Sequence, residues 1–600
     1  MASPFVRIAR ILKREQRYYY NMSKLNIDQK TVRDLFQDPK ADFLIPDYQR
    51  PYAWGSDECL TLWNDIFEFA FPDSDYSKFN SETDEYFLGP IVTFKNDNRQ
   101  MEIIDGQQRL TTLMLILRAF YDRFANMKDG NAVKTREYIE KCIWKTDEFG
   151  NPNKQALKID SEVATDNDKE EFLSILRTGV TEKKQNSKYA QNYRFFQEKI
   201  NEFLNTYPGY FAYLPTRILN NCILLPIEAE SQDTALRIFS TLNDRGLPLS
   251  DSDIFKAQFY KYYTAKGEKD DFIKRWKDLE EVCEPIFHPQ SGTPVDEIFT
   301  RYMYYVRAKQ GITSSTTEAL RKFYEKDNYE LLKNDETLKN LEDLADFWND
   351  VSNQDNDRFS EKILKRLFVL YYAPNSMWTY FVSVYFMQNK DKDGLLEEEK
   401  FYSFLNRITA FIWAYSIFKP GVNSLRTPVY AEMQNLVMGN EVDFANYKFD
   451  EENIRSMFVN YAFYNLRPIT KAMLAWWAYN DEKQDLMSTE IQFDTEHIFA
   501  KNRVSHDNLS NPRYIELLGN KAMLEKRINI RASDYKFEDK KKYYYGYTNM
   551  RGQEKEGTKV QELLTLADTK NDFNENDILT RNKEIIDGFI KYLGLNGLLQ

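Results

Sequence analysis

Met101–Leu117 reads MEIIDGQQRLTTLMLIL and changes structural period within a few residues. Glu102–Ile104 has the character of a strand end, whereas Leu110, Leu113, Met114, Leu117 and Tyr121 follow the i, i+3, i+4, i+7 spacing of an amphipathic helix. Between them stand Asp105, Gly106, Gln107, Gln108 and Arg109. A strand that turns through glycine into a helix directs free backbone N–H groups and the positive end of the helix dipole at one point. That point suits a phosphate. Gly106 permits the backbone angle, Arg109 can fork onto phosphate oxygens, and Asp105 can hold Mg²⁺ or a ribose hydroxyl. The same pentapeptide also reads as a tight turn with polar residues facing water, because short motifs recur by chance.

Upstream, Thr31–Phe36 reads as a short helix leading into extended Asp42–Ile45. In the segment that follows, Pro46–Trp54, Pro46 and Pro51 forbid a helix and hold Tyr48, Gln49 and Arg50 in an extended, rigid presentation. Glu58–Ala70 is expected to be a helix, and Tyr86–Phe94 a strand or hairpin. Together with the opening stretch these make a small mixed sheet with one helix leaving its edge. Downstream of Phe120 the pattern is mostly helical, with breaks at Thr146–Lys154 and Asp166–Lys169. Cys222–Ile227 is a short apolar run that could close the sheet. Thr234–Asn243 reads as a helix leading into Ile238–Lys256, IFSTLNDRGLPLSDSDIFK. There Gly246 fits a helix C-terminus, Pro248 blocks continuation, and Ser250 with Asp253 makes a capping box. Asn243, Arg245 and Lys256 are left without a structural role and could face the same anion as Arg109.

A chain of 600 residues exceeds what one hydrophobic core usually supports, so two or three domains are expected. With 42% hydrophobic and 29% charged residues it is globular in composition. The net charge of −12 argues against a general electrostatic grip on nucleic acid, so any such contact must be local. Cys59, Cys142, Cys222 and Cys283 are scattered singly, which fits neither a zinc knuckle nor a disulfide framework and points to a reducing cytoplasm. The first 21 residues are basic but lack an apolar signal core, and Met22 offers an alternative start. Leu367–Met387 is uncharged, but Ala373-Pro374-Asn375-Ser376 divides it, so it reads as two buried helices and no membrane partner is expected. Residues 260–480 are otherwise a long helical region without a fixed-period repeat, and no chemistry is assigned to it.

Of three histidines, His288, His497 and His506, His497 stands apart. It ends the alternating stretch Ile491–Ile498, with Asp494 and Glu496 close by. A second strand, near Leu517–Leu524, brings Asn520, and Asn529 follows on a helix. Such a set can surround one divalent metal and hydrolyse a phosphodiester, with His497 activating water. An ordinary strand-end histidine is the alternative. Lys526, Arg527, Arg531, Lys536, Lys540, Lys541 and Lys542 add a local basic run in an acidic chain, either a place for phosphates or a solvated helix face.

IPDYQRPYAW, FLGPIV, IIDGQQRLTTL and IFSTLNDRGLPLSDSDIFK, in that order, resemble the amino-terminal half of the GmrSD-type, modification-dependent (type IV) restriction endonucleases. TEHIFAKN, LLGNKAMLEKRIN and SDYKFEDKKKYY resemble their carboxy-terminal HNH half, here in one chain. The resemblance implies an α+β, multidomain protein: a basic extension over 1–21, a ParB/sulfiredoxin-like nucleotide-binding domain over 22–262, a helical middle over 263–480, and a ββα-metal HNH nuclease over 481–600. It places Gln49, Arg50, Asp105, Gly106, Gln107, Gln108 and Arg109 at nucleotide motifs, His497 at the general base, Glu496 at a metal-ligand position, and Asn520 and Asn529 at the later HNH positions, Asn529 also as a ligand. The implied function is cytoplasmic anti-phage DNA cleavage, gated by a nucleoside triphosphate, dependent on Mg²⁺ or another divalent metal, and directed at modified DNA. A homo-oligomer is open. An RNA-cleaving toxin and a nucleotide-responsive regulator with a degenerate HNH domain are the alternatives.

Overall fold

The computed structural model describes residues 26–600 except 28, 164, 165, 167, 182, 183, 185, 233, 237, 239–249, 422 and 504–508. Contacts divide the chain into two units, Met1–Lys277 and Asp278–Gln600.

The first unit is built on a seven-stranded mixed sheet of β1 (Asn26–Ile27), β2 (Lys30–Thr31), β3 (Phe43–Ile45), β4 (Tyr86–Lys95), β5 (Met101–Asp105), β6 (Ile159–Ser161) and β7 (Cys222–Ala229). The spatial order is β1-β7-β4-β5-β3-β6, with β2 also paired to β7. Tyr86–Lys95 is one strand, antiparallel to β5 and parallel to β7, with a register shift between Phe87 and Gly89. Cys222–Ile227 lies inside the sheet between β1 and β4, where it was expected to close it. The reason is its composition: four consecutive buried residues, Cys222–Leu225, suit a strand covered on both faces. The expected break at Thr146–Lys154 is mostly a hairpin, with Trp144–Thr146 antiparallel to Pro152–Leu157.

Three helices matter most to the site. Helix α1 (Val32–Gln37) is capped by Thr31, whose hydroxyl accepts from Asp34 N–H at 3.0 Å. Helix α2 (Ser56–Ala70) buries Leu62, Trp63 and Ile66. Helix α3 (Gln107–Arg123) starts immediately after β5 and Gly106, and every residue from Leu110 to Phe120 is buried. It packs on α4 (Lys188–Thr206), and Trp63 stacks on Phe120 with ring centroids 6.4 Å apart. Near the end of this unit, α5 (Asp251–Lys266) opens with the expected reciprocal capping box between Ser250 and Asp253, at 3.1 and 3.0 Å.

The second unit is mostly helical. It includes α6 (Pro294–Lys309), α7 (Asp335–Ser352), α8 (Glu361–Tyr371), α9 (Met377–Asn389) and α10 (Glu398–Phe418). Leu367–Met387 is thus shared by two helices joined by a turn, and among the described residues no helix is long and apolar enough to cross a membrane. Near the carboxy terminus, β8 (Phe493–His497) pairs antiparallel with β9 (Lys521–Glu525), and α11 (Lys526–Ala532) follows β9 without a loop. Helix α12 (Phe537–Tyr545) comes next, and α13 (Glu575–Leu595) lies against Gly519, where an added Cβ would stand 2.0 Å from Ile578 O. Only glycine permits that approach. The architecture is α+β, with a mixed sheet in the amino-terminal unit.

Candidate functional site

The turn at the end of β5 gathers three of the motifs of the amino-terminal half, IPDYQRPYAW, FLGPIV and IIDGQQRLTTL. Gly106 has φ +95°, which an L side chain rarely adopts, and from there the chain enters α3. The neighbouring glutamines stitch this turn to Pro46–Trp54. Gln108 Oε1 accepts from Ala53 N–H at 2.7 Å while its Nε2 donates to Pro51 O at 3.2 Å. Gln107 Nε2 donates to Arg50 O at 3.2 Å, and Gln49 Nε2 donates to Ile103 O and Ile104 O at 3.3 and 3.2 Å. The FLGPIV motif holds Arg109: its Nη1 donates to Pro90 O at 2.7 Å, and its guanidinium lies where a side chain on Gly89 would stand.

Three charges meet here. Burial raises the Asp105 carboxyl above its ordinary range against the pull of Arg109, the Gly106 N–H and Arg50. Burial likewise lowers Arg109, against Asp105 and Tyr86. Both partners move toward their neutral forms, so lost hydration outweighs their mutual attraction. Arg50 Nε and Gln107 Oε1 are buried without a hydrogen-bond partner among the described residues. A helix N-terminus, two guanidiniums and an orphaned N–H fit a phosphate-bearing ligand. Asn243 and Arg245 lie outside the described residues. Lys256 is buried on α5, its ammonium 5.8 Å from the Trp276 ring centroid.

In the second unit, β8 presents Glu496 and His497 in succession, and successive strand side chains point to opposite faces. Their partners differ accordingly. Glu496 is 2% exposed, and its Oε1 accepts from Lys540 Nζ at 2.8 Å and from Tyr544 OH at 2.6 Å, both on α12. Burial raises its carboxyl, opposed chiefly by Lys540. His497 stands opposite Lys521 in the strand register, with Nε2 3.9 Å from Glu516 Oε2. Glu516 also meets Lys521 and Lys501, at 2.5 and 3.4 Å. Burial, then the charge of Lys521, pushes His497 down to about 4 against the pull of Glu516. The imidazole is therefore neutral near pH 7. Its Nε2 is buried without a hydrogen-bond partner among the described residues.

Asn520 is fully buried and engaged with backbone. Its Oδ1 accepts from Phe499 N–H at 2.8 Å, and its Nδ2 donates to Phe499 O and Ile515 O at 3.1 and 3.2 Å. Expected as a catalytic residue, Asn520 has its side chain taken up by these three backbone bonds, which clamp the chain leaving β8. Asn529 lies half-buried on α11, and no described contact joins its side chain to His497 or Glu496. Glu496 turns from His497 into its pair with Lys540, and among the described residues no group of three or more His, Cys, Asp or Glu is placed to hold a metal ion.

Residues 32–260 match the family model of the GmrSD restriction endonuclease, N-terminal domain. No curated protein matches the chain significantly. The matched segment takes in Gln49, Arg50, the whole Asp105–Arg109 turn and Lys256, and it marks this part as similar to a restriction-endonuclease domain. His497 and its neighbours lie beyond it.

Sequence reasoning passed over several residues of both constellations. Lys540 and Tyr544 stand four apart on α12, and that spacing was the available sign that both face one partner. Glu516 carried no signal outside the fold. In the first unit, Tyr48 OH donates to Glu102 at 3.2 Å, and Asp47 is held by Lys269 at 2.7 Å and Tyr260 at 3.1 Å. Of the basic run, Lys540 is 1% exposed and points inward, whereas Lys526, Arg527, Lys536 and Lys542 are exposed.

Proposed function

We propose that this chain is a nucleotide-controlled nuclease of the restriction type, with a phosphate-binding turn at Asp105–Arg109 and His497 as the general base for phosphodiester hydrolysis. The observation that carries the reading is a buried imidazole whose Nε2 has no hydrogen-bond partner among the described residues, in a chain whose residues 32–260 are similar to a restriction-endonuclease domain. The strand–strand–helix order of β8, β9 and α11 supports an HNH-type site.

In this mechanism His497 takes the proton from an attacking water. Burial, with the charge of Lys521 beside it, holds the imidazole neutral at rest and leaves its nitrogen ready for that proton. Glu516, 3.9 Å away, steadies the imidazolium once formed. Lys501 is 63% exposed and is the side chain placed to meet a substrate phosphate, while Lys526, Arg527, Lys536 and Lys542 draw the polyanion locally. Asn520 fixes the backbone that carries the base. In the first unit a nucleoside triphosphate would place its phosphates on the α3 N-terminus, Arg50 and Arg109. Control by nucleotide follows from what the nuclease would otherwise do, since an ungated site would cut the DNA of its own cell. Modified phage DNA is the proposed substrate.

Cleavage of plain DNA, DNA with modified cytosines, phosphorothioate DNA and RNA, each with and without each nucleoside triphosphate, tests the proposal. The expected result is nucleotide-dependent cutting of one modified DNA. Cutting of RNA alone would replace it with the toxin reading. Nucleotide binding without cleavage of any nucleic acid would replace it with the regulator.

A further inference from the structure

Between the helices Glu451–Asn460 and Pro468–Ala478, the loop Tyr461–Arg467 brings the helical middle of the chain up to the His497 cluster. Lys521, fully buried and opposite His497 in the strand register, is the joint. Its Nζ donates to Glu516 Oε2 and to Phe463 O, both at 2.5 Å, and to Asn465 Oδ1 at 2.8 Å. Glu516 is also the carboxylate 3.9 Å from His497 Nε2. One interior ammonium thus ties the loop to the side chain that faces the imidazole.

The loop is held from within as well. Phe463 is buried and packs on Phe458 with ring centroids 6.5 Å apart. Tyr464 N–H donates to Ala462 O at 3.0 Å, and Tyr464 O accepts from Arg467 N–H and from the Thr470 hydroxyl, each at 2.9 Å. A backbone pinned in this way presents its outward side chains in fixed positions. Tyr464 is 49% exposed and Leu466 98%. The Arg467 guanidinium lies 4.8 Å from the Tyr461 ring centroid and 5.2 Å from that of Tyr464. It donates to Ala462 O at 3.1 Å and meets no carboxylate among the described residues. On the preceding helix, by contrast, Arg455 is paired with both Glu451 and Asp587. No Asp or Glu occurs from Asn460 to Asn480, so the loop is a locally basic surface in a chain of net charge −12.

The chemistry of a partner follows. A single exposed leucine or tyrosine is ordinary on a protein surface. Here an exposed tyrosine ring, a guanidinium and a leucine share one pinned turn whose charge is uncompensated, beside the proposed base. Aromatic rings and arginine planes stack on nucleobases, and the same cation attracts the neighbouring phosphate, so both needs are met by one polynucleotide strand. Bases inside a duplex are already stacked on each other, so the platform takes a base only when it leaves the stack. Leucine is among the apolar side chains that wedge between base steps and separate them.

We propose that Tyr464, Leu466 and Arg467 receive an unstacked base of a DNA strand, adjoining the phosphate that Lys501 and His497 meet. The position beside a scissile bond rests on His497 being the general base; strand binding by the loop does not.

Fluorescence anisotropy of a dye-labelled oligothymidine, titrated with the full chain carrying His497→Ala so that nothing is cut, tests the proposal. A labelled oligomer with the same backbone and no bases separates stacking from phosphate contact. Oligothymidine should bind roughly tenfold tighter than the abasic strand. Tyr464→Ala should remove that difference and Tyr464→Phe should keep it, in proteins that melt as the parent does. Arg467→Ala should weaken both strands and lower the slope of log affinity against log salt by about one. Absence of oligothymidine binding, or a base preference intact in Tyr464→Ala, overturns the loop as a platform. Tighter binding of oligouridine than of oligothymidine overturns the assignment to DNA. Loop-dependent binding in a chain whose wild type cuts no DNA would remove the His497 reading and uphold the platform, whereas unchanged loop variants of a chain that does cut would do the reverse.

Discussion

Replacing Lys540 with methionine removes the ammonium from a carboxylate that has no access to water. The side chains of Lys540 and Glu496 are 1% and 3% exposed, and their 2.8 Å contact is the main stabilisation Glu496 has against burial. Removing one partner of such a pair costs about 3–5 kcal/mol, because the remaining charge stays buried. Two features bear on the figure. Glu496 keeps Tyr544 as a donor at 2.6 Å, and burial already raises its carboxyl, so it escapes part of the penalty by taking up a proton. Against that, the Lys540 bond to His497 O at 2.6 Å is lost, worth about 1 kcal/mol. Lys540→Met should therefore cost about 3 kcal/mol locally. Adding Glu496→Gln removes the stranded charge while keeping an acceptor for Tyr544, and should recover about half of that loss or more. Native-state hydrogen exchange at the β8 amides is the assay, because the two units need not unfold together. A loss below about 1 kcal/mol in the single variant, or a double variant no more stable than the single, would refute a structural Glu496–Lys540 pair.

Three further outcomes are expected. Asn520→Ala strands the Phe499 N–H and two carbonyls, so it should cost about 2–4 kcal/mol and lower cleavage in proportion to unfolding, which denaturation and activity at two temperatures would separate. Arg109→Ala should weaken nucleoside triphosphate binding by roughly ten- to a hundredfold in an equilibrium assay, with Arg109→Lys no rescue because the fork is lost. The folded chain holds His497 at about 4 against an ordinary 6.5, so between those values the unfolded state binds the extra proton and stability rises with pH. Acidification from pH 6.5 to 4 should thus lose about 2–3 kcal/mol through this group, and Glu516, held below its ordinary value, adds to the loss at the acid end. Glu496, raised by burial, works in the opposite direction, so the quantity to measure is the pH dependence of wild type minus that of His497→Asn.

What was legible in the sequence was local. The change of period around Asp105–Arg109 correctly marks β5, the glycine turn and α3, because strand alternation, a left-handed glycine and the helical repeat are short-range properties. The Ser250–Asp253 capping box and the division of Leu367–Met387 by Ala373–Ser376 were readable for the same reason. The rest depended on which face a residue takes and which distant chain meets it. Glu496 and His497 are neighbours in sequence, yet a strand sends them to opposite sides, and the partner that claims Glu496 comes from Lys540 on another helix. Charge was a poor guide to exposure, since Lys521 and Lys540 are both interior. Cys222–Ile227 was legible as a strand, but its place inside the sheet depended on strands far away in sequence. The Tyr461–Arg467 loop meets Lys521 only in the fold and had no sequence signature at all.

The proposed mechanism turns on His497 as the base that activates water. Its most direct test is the cleavage rate of His497→Ala, measured on the DNA and nucleotide that support the wild-type reaction, with and without imidazole in the buffer. The expected result is a fall of about 10²–10⁴-fold, unaltered nucleotide binding, and partial recovery with imidazole. A His497→Ala protein that cuts at the wild-type rate would contradict it.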